Sequence, residues 1–311
     1  MKFSVIIPAY NAHETIGATI ESVVSATRPA TIELEVFVVD DGSQDGAALR
    51  MVVSAYPEVQ LITQSPNRGK CAAVNLGVSY SKGDVVTILD ADDIFVPEWP
   101  EVLQDCLQGW PKESPICFSA CKTQDGDTTV SYPNYTGNFT YEDILKEHRT
   151  GEYLPIFRGD AVRDKGGYFD SKMSVPCELY TYLDYARSAP LWISSKILRI
   201  YKIDQGSSLT ASYHKPEKAK QLAQCYDLVF EEFGDDYSQI APIFYSKRKL
   251  RQAVFASMAN ERRALSIWRD GARLAIPIES IASLLLILFG GKNTMKVVSI
   301  AKKLGLIRRF G

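Results

Sequence analysis

The sequence has few of the residues that form disulfides or zinc sites. Three histidines occur in 311 residues, and the six cysteines form no CxxC pair. Cys117 and Cys121 lie closest together, but no second pair of ligands stands at the spacing of a zinc site. We therefore predict reduced thiols throughout and expect these two cysteines to be buried structural residues.

The chain also lacks an excess of either charge. Its 35 basic residues nearly balance 37 acidic ones, so no overall field attracts nucleic acid, and a nucleic-acid-binding function is disfavoured. The apolar run at the N-terminus stops at Pro8 and is too short for a signal peptide. We therefore expect a cytoplasmic protein, and the composition, 46% hydrophobic and 23% charged, is typical of a folded one.

Two common nucleotide-binding loops are absent too. A Walker loop ending at Lys70 would need glycine in place of Gln64 and serine or threonine in place of Cys71. No GxGxxG pattern follows the first apolar run. The sequence thus disfavours P-loop NTPases and dinucleotide oxidoreductases.

The first third of the chain alternates strand and helix patterns. Strands are predicted over residues 3–7, 34–39, 59–63 and 85–89. Helices are predicted over 13–26, from the end of the 40–43 cluster to about residue 56, and over 70–80. Continuously apolar strands that alternate with helices indicate a parallel sheet covered on both faces. Polar clusters at 8–11, 40–43 and 90–93 all follow strands, so we expect them on one rim, where such sheets bind ligands.

The pattern changes after residue 114. Shorter strands and loops follow, with a helix near 175–187 and a strand near 196–203, and from about residue 215 the pattern is helical. We assign residues 1–212 to an α/β domain with halves at 1–113 and 114–212, and residues 213–311 to a helical C-terminal region.

Acidic pairs follow two of the predicted strands. Asp90 and Asp92 stand one residue apart, so one carboxylate can reach a ribose while the other binds the divalent cation that a diphosphate needs. Asp40 and Asp41 end another strand, and one of them can accept a hydrogen bond from a base N–H while Tyr10 stacks on that base. Taken singly, each acidic pair also fits a polar turn.

A basic segment opens the third predicted helix. Arg68 and Lys70 place two cations and a helix N-terminus near the same rim. This arrangement suits a ligand that carries phosphate groups.

The chain resembles glycosyltransferase family 2, which has the GT-A fold, in four segments taken in order: SVIIPAYN (4–11), VVDDGS (38–43), NRGK (67–70) and LDADD (89–93). The resemblance covers roughly the first two-thirds of the chain and is strongest in the first. It implies an α/β fold whose mostly parallel sheet is flanked by helices, with a helical C-terminal extension. It further implies a nucleotide-sugar donor, with a UDP-sugar favoured, Mg²⁺ or Mn²⁺ as cofactor, and inversion at the anomeric carbon.

The same resemblance implies roles for individual residues. The expected contacts to the donor nucleotide are Pro8, Ala9, Tyr10, Asp40, Arg68, Lys70, Asp90 and Ala91. Asp92 is the expected metal ligand. The acceptor would be a hydroxyl of a glycan or of a lipid-linked sugar in a cell-surface pathway.

The expected catalytic base is Glu178. Family members usually carry a Glu-Asp pair at the start of a helix in the second half of the domain, and here Cys177 replaces the first acid and Glu178 the second. The base would then sit on an arm one methylene longer. The alternative is that Glu178 is an ordinary first-turn helix residue stabilised by the helix dipole, and Asp170 and Asp184 are the substitutes for the base.

A later element, residues 201–208, resembles the family segment that brings a basic residue and a histidine to the diphosphate. Lys202 keeps the charge, whereas Asp204 stands in place of the histidine. Asp204 either adds an oxygen ligand to the metal or begins a turn; we favour the turn and assign it no catalytic role.

The C-terminal region leaves two interpretations open. Residues 274–289 are apolar, but Pro277 and Glu279 interrupt them and they are shorter than a membrane span. Because a basic tail follows, the segment fits a helix that lies on anionic lipid at the inner face of the membrane. It fits equally a helical cap on the catalytic domain.

Two other functions compete with a transferase. A sugar-nucleotide pyrophosphorylase shares the sheet type, but its glycine- and arginine-rich phosphate loop is absent at residues 8–11. A nucleotide-sugar-binding protein that has lost turnover is suggested by Cys177.

Overall fold

A computed structural model describes residues 1–170, 173, 176–201, 216–273 and 277–288. The chain divides into two compact units, the first formed by Met1–Ile144 and His148–Ile203 and the second by Leu145–Glu147 and residues from Asp204 onward. The predicted domain boundary between residues 212 and 213 lies outside the described residues.

The strands of the first unit form one sheet. Nine strands occur among the described residues: β1 (Lys2–Ala9), β2 (Glu33–Asp40), β3 (Val59–Thr63), β4 (Val85–Ile88), β5 (Ile94–Phe95), β6 (Ile116–Thr123), β7 (Gly137–Phe139), β8 (Tyr153–Arg158) and β9 (Leu191–Tyr201). Their order is β3-β2-β1-β4-β8-β6-β9-β5, with β7 paired to β9.

Seven helices of the described residues accompany this sheet: α1 (Ile16–Val24), α2 (Gly46–Val53), α3 (Lys70–Tyr80), α4 (Trp99–Gly109), α5 (Tyr141–Leu145), α6 (Gly159–Asp164) and α7 (Glu178–Ala186). Strands β1, β2, β3 and β4 pair in parallel, as the β-α alternation predicts. Their carboxyl ends therefore share one rim.

Close packing fixes α3 against the parallel strands. Gly77 lies so near them that a Cβ atom there would stand 2.5 Å from Ile6 and 3.1 Å from Val39. Because only a residue without a side chain allows this approach, α3 lies directly on β1 and β2. Its first residue, Lys70, consequently reaches the rim of the sheet.

The other half of the sheet is mixed. Strand β8 runs antiparallel to both β4 and β6, while β6 and β9 are parallel. Strand β5 pairs antiparallel with β9 and joins Phe95 to Arg199 across the ladder. The strand predicted near 196–203 thus begins earlier, at Leu191, and lies beside the chain that follows the LDADD segment.

The second unit is helical. Its described helices are α8 (Pro216–Ile240), α9 (Pro242–Met258), α10 (Ala264–Gly271) and α11 (Pro277–Leu288). Small buried residues, Ala223, Ala253 and Ala256, form part of its core. None of the helices in the described ranges combines the length and hydropathy that crossing a bilayer requires.

Candidate active site

Loop contacts join the first and second of the four segments. The backbone N–H of Asn11 donates to Ser43 Oγ at 2.9 Å, and Asn11 Oδ1 accepts from the Gln44 N–H at 2.8 Å. Asn11 has a φ of +52°, a left-handed conformation that asparagine tolerates better than most residues. The loops after β1 and β2 are therefore held side by side.

A buried carboxylate joins the second segment to the third. Asp41 is 4% exposed and accepts hydrogen bonds from the backbone N–H groups of Arg68 and Gly69, both at 2.8 Å, and from the Gln64 side chain. The neighbouring Gly42 has a φ of +71°, and a Cβ atom there would lie 2.8 Å from the Asn67 nitrogen. Asp41 thus fixes the loop that carries both cations of the NRGK segment.

An ion pair joins the third segment to the fourth. Lys70 Nζ lies 2.6 Å from Asp90 Oδ1, and both side chains are partly accessible. Burial alone would raise the pKa of Asp90, but the charges of Lys70 and Arg199 outweigh it, so that pKa is lowered. Burial would likewise lower the pKa of Lys70, but attraction to Asp90 and Glu178 raises it. All four segments are therefore linked by direct contacts along one rim, as the sequence predicts.

The fourth segment forms a tight turn. The Asp93 N–H donates to the Asp90 carbonyl at 3.0 Å, and Thr19 Oγ1 on α1 donates to the Ala91 carbonyl at 3.0 Å. Asp92 lies at the middle of the turn and is partly buried.

The turn supplies carboxylates without a complete ligand shell. In the described ranges no cluster of three or more His, Cys, Asp or Glu side chains is arranged to hold a metal. Mg²⁺ or Mn²⁺ in a nucleotide site takes one or two carboxylates together with diphosphate oxygens and water. Asp90 and Asp92 therefore fit the metal that the resemblance implies.

Glu178 shares the electrostatic environment of Lys70 and Asp90. It is the first residue of α7, and its side chain is accessible to solvent. The protein atoms around it nevertheless desolvate the carboxylate and raise its pKa; Glu152 and Asp90 add to this effect, while Lys70 and Arg199 oppose it. Its surroundings thus raise the pKa of Glu178 although its side chain is accessible, and its role as the base stays a prediction.

Comparisons with known proteins identify the family. The model of the family described as glycosyl transferase family 2 matches residues 4–161, about half of the chain. The chain belongs to glycosyl transferase family 2.

The relatives include glycosyltransferase AglE of Haloferax volcanii, 29% identical over 53% of this chain and 55% of the relative. Another is the UDP-Glc:alpha-D-GlcNAc-diphosphoundecaprenol beta-1,3-glucosyltransferase WfgD of Escherichia coli, 33% identical over 30% of this chain and 36% of the relative. The chain spans about half the length, or less, of these curated relatives.

Solved structures show the same fold. Residues 1–349 of S. aureus TarS in complex with UDP-GlcNAc match with a TM-score of 0.64 and 19% identity over 100% of this chain and 94% of that one. Mannosyltransferase PcManGT from Pyrobaculum calidifontis, in complex with GDP-Man and Mn²⁺, matches with a TM-score of 0.53 and 16% identity over 94% and 86%. The predicted GT-A fold is confirmed.

The residues expected to contact the donor differ in their solvent exposure. Tyr10 is 48% exposed and Arg68 is exposed, so both can meet a ligand with their side chains. Asp40 is 1% exposed and accepts from the Ser43 N–H at 2.9 Å. Ala9 and Ala91 are buried, so a contact at either would involve the main chain; the donor roles of these residues and of partly buried Pro8 stay predictions.

Several other expected residues are placed elsewhere or not described. Asp184, a substitute for the base, pairs with Lys165 on the surface of α7. Asp170 is partly buried. Lys202, Asp204 and the basic C-terminal tail lie outside the described residues. None of the six cysteines forms a disulfide, and all six are buried.

Sequence reasoning missed two residues of this site. The sequence predicts Asp41 as a possible contact to the base or as part of a turn, but not its role in fixing the NRGK loop. Arg199 on β9 forms an ion pair with Asp93 at 3.1 Å. The signal for Arg199 was weak: a charged residue between Leu198 and Ile200 in an apolar strand.

Proposed function

We propose that this protein is an inverting glycosyltransferase that moves a sugar from a UDP-sugar to an acceptor hydroxyl in cell-surface glycan synthesis. The observation that carries the proposal is the set of contacts that link the four segments in turn: Asn11 with Ser43, Asp41 with Arg68, and Lys70 with Asp90. These contacts bring an exposed aromatic ring, two cations and a carboxylate pair to the carboxyl ends of parallel strands. An aromatic ring, cations and a metal-binding acid pair suit the base, phosphates and counter-ion of a nucleotide sugar.

The donor would lie along this rim. Tyr10 would stack on the base and Asp40 would accept from it, while Asp90 would bind the ribose. Arg68 and Lys70 would face the phosphates, where cations offset the charge of the diphosphate. Lys70 already lies against Asp90, so a donor that binds Asp90 also meets this cation.

The metal would be held by Asp92 with Asp90 nearby. When bound, Mg²⁺ or Mn²⁺ supplies positive charge that stabilises the departing diphosphate. The two carboxylates bring negative charge that would repel the donor, and a bound divalent cation would offset it.

Glu178 would act as the general base. As the acceptor oxygen bonds to the anomeric carbon and the bond to the diphosphate breaks on the opposite face, the carboxylate takes the hydroxyl proton. The raised pKa of Glu178 strengthens it as a proton acceptor. A single displacement with one base inverts the configuration at the anomeric carbon.

The acceptor would be a glycan or lipid-linked sugar at the inner face of the membrane. Support comes from WfgD, whose name describes a diphosphoundecaprenol-linked acceptor, and from α11. Ile281, Leu285 and Leu288 are exposed at helical spacing on α11, and basic residues follow them in the sequence. Greater cosedimentation with vesicles containing phosphatidylglycerol than with phosphatidylcholine alone would support this contact, and its loss in Leu285→Gln would locate it.

Calorimetric titration with UDP, GDP and dTDP, with and without Mn²⁺, tests the donor site. We expect metal-dependent binding of UDP, its loss in Asp92→Ala, and its retention in Glu178→Gln, which should abolish transfer. Asp184→Asn, on the same helix, is the matched control and should transfer normally. Normal transfer by Glu178→Gln would refute the assignment of the base.

A binding protein without turnover is the second candidate, because Cys177 replaces an acid of the family pair. It would be supported if the protein binds UDP but neither hydrolyses nor transfers a UDP-sugar across a panel of acceptors. Absence of binding to all three nucleotides would contradict both candidates.

A further inference from the structure

Arg199 lies behind the LDADD turn and has no assigned role in the proposed donor site. Its side chain is 6% exposed, and its Nε donates to Cys121 Sγ at 3.3 Å. Its guanidinium nitrogens reach Asp93 at 3.1 Å and Glu152 at 3.6 Å. One guanidinium therefore donates a hydrogen bond to a thiol on β6 and forms ion pairs with the end of the turn and with the residue before β8.

The backbone of Arg199 is tied to the same turn. Arg199 pairs with Phe95 across the β5–β9 ladder, and β5 begins immediately after Asp93. The turn is closed by the Asp93 N–H on the Asp90 carbonyl. The main chain and the side chain of Arg199 therefore both contact the segment that contains Asp92 and Asp93 or directly follows it.

Asp93 is suited to anchoring rather than to binding a ligand. It is 1% exposed, and its carboxylate is already engaged in the ion pair with Arg199. A buried carboxylate needs a cation close by, and Arg199 supplies it at 3.1 Å. Because carboxylates that bind metals are oriented by hydrogen bonds and charges behind them, loss of such support commonly weakens metal binding.

We propose that Arg199 is a positioning residue that holds Asp92 in its metal-binding orientation by anchoring Asp93. This inference rests on the proposed function, because it concerns the same metal-assisted donor site. On this proposal the site extends behind the rim to β9, and Asp93 supports the positions of Asp90 and Asp92.

The test compares Arg199→Met with Arg158→Met by calorimetry, using UDP with Mn²⁺ and uridine without metal. Arg158 is a matched control: it lies in the same sheet, is partly buried, and bonds to the carbonyls of Pro111 and Ser114. Arg199→Met should weaken Mn²⁺-dependent UDP binding by about tenfold or more and leave uridine binding within about twofold. Arg158→Met should lower the melting temperature without changing the effect of Mn²⁺.

The double variant Arg199→Met/Asp93→Asn separates positioning from charge balance. It removes the buried cation and anion together, so its melting temperature should exceed that of Arg199→Met. Mn²⁺-dependent binding should stay weak, because the anchor is still lost. Recovery of that binding would overturn the proposal, since Arg199 would then only neutralise Asp93.

Arg199→Lys keeps the test decisive if Arg199→Met does not fold. An ammonium keeps the charge but cannot hold Asp93, Glu152 and Cys121 with one planar fork, so Mn²⁺-dependent UDP binding should again weaken. Wild-type affinity in this variant would overturn the proposal. Absence of Mn²⁺-dependent binding in the wild-type protein would instead refute the proposed donor function, and the inference with it.

Discussion

Replacing Asp41 by alanine should loosen the loop that carries Arg68 and Lys70. The lost carboxylate accepts three hydrogen bonds, from Gln64, from the Arg68 N–H and from the Gly69 N–H. A hydrogen bond to a charged group contributes about 1.5–3 kcal/mol. Water can replace the acceptor for the partly exposed backbone donors but hardly for buried Gln64, so we expect a total loss of about 3 kcal/mol in the free energy of unfolding.

The loss should be visible in both stability and binding. Urea unfolding followed by tryptophan fluorescence measures the first, and titration with UDP and Mn²⁺ measures the second. We expect about tenfold weaker UDP binding at temperatures where Asp41→Ala remains folded, because Arg68 and Lys70 lose their fixed positions. Asp41→Asn keeps one oxygen acceptor and should fall between the alanine variant and the wild type.

Asp45→Ala is the control for this prediction. Asp45 caps α2 by accepting from the Ala48 N–H at 3.2 Å and is exposed, so its loss should cost about 1 kcal/mol and leave UDP binding unchanged. If Asp41→Ala is no less stable than Asp45→Ala, or binds UDP like the wild type, Asp41 does not organise the loop as we argue.

Three further predictions concern acidity and packing. Because the raised pKa of Glu178 belongs to a group that must be deprotonated to act, kcat/KM should fall with decreasing pH at a higher pH than an ordinary glutamate would give, and Glu178→Asp should move this limb. Gly159→Ala should destabilise by about 3 kcal/mol or prevent folding, because its Cβ would lie 1.9 Å from the Gly83 carbonyl oxygen; thermal unfolding of Gly17→Ala, whose nearest atom would be 3.4 Å away, should change little. Burial would raise the pKa of Asp143, but hydrogen bonds outweigh it and lower the pKa to about 2, so this carboxylate stabilises the fold above about pH 4 and loses that effect as pH falls toward 2. Asp143→Asn should therefore be less stable by about 2 kcal/mol in urea at pH 6, with a smaller deficit at pH 3, and a deficit that does not shrink would refute the assignment.

The parallel half of the sheet was predictable because its signals are local. Each strand is a short apolar run, each loop after it is polar, and the next helix follows within a few residues, so β1 to β4 and the shared rim follow from the sequence. In this half the predicted and observed bounds of the elements differ by only a few residues. Helix α1 was expected from residue 13 but begins at Ile16, because the Ala12 carbonyl first accepts from both Thr15 and Ile16 in a turn.

The mixed half was harder because its strands pair with distant partners. Strand β9 begins at Leu191, five residues before the predicted start, and its pairing with β6 shifts register near Ala120. A register shift leaves no simple periodicity in the sequence. The ion pair between Arg199 and Asp93 depends on this pairing, so the residues that support the LDADD turn could not be found from local patterns.

Cys177 does not by itself argue against turnover. It is the N-cap residue of α7, where its side chain makes no capping hydrogen bond, and it is 7% exposed, so a carboxylate at this position would need a buried partner. Glu178, one residue later, is accessible and is already influenced by Lys70, Asp90 and Arg199. A base needs access to the acceptor hydroxyl and an environment that keeps it basic, and the accessible side chain and raised pKa of Glu178 fit these needs. If Glu178 is the base, as we propose, the substitution at residue 177 changes a neighbour of the base and not the base itself, and an inactive Glu178→Gln beside an active wild type would support this.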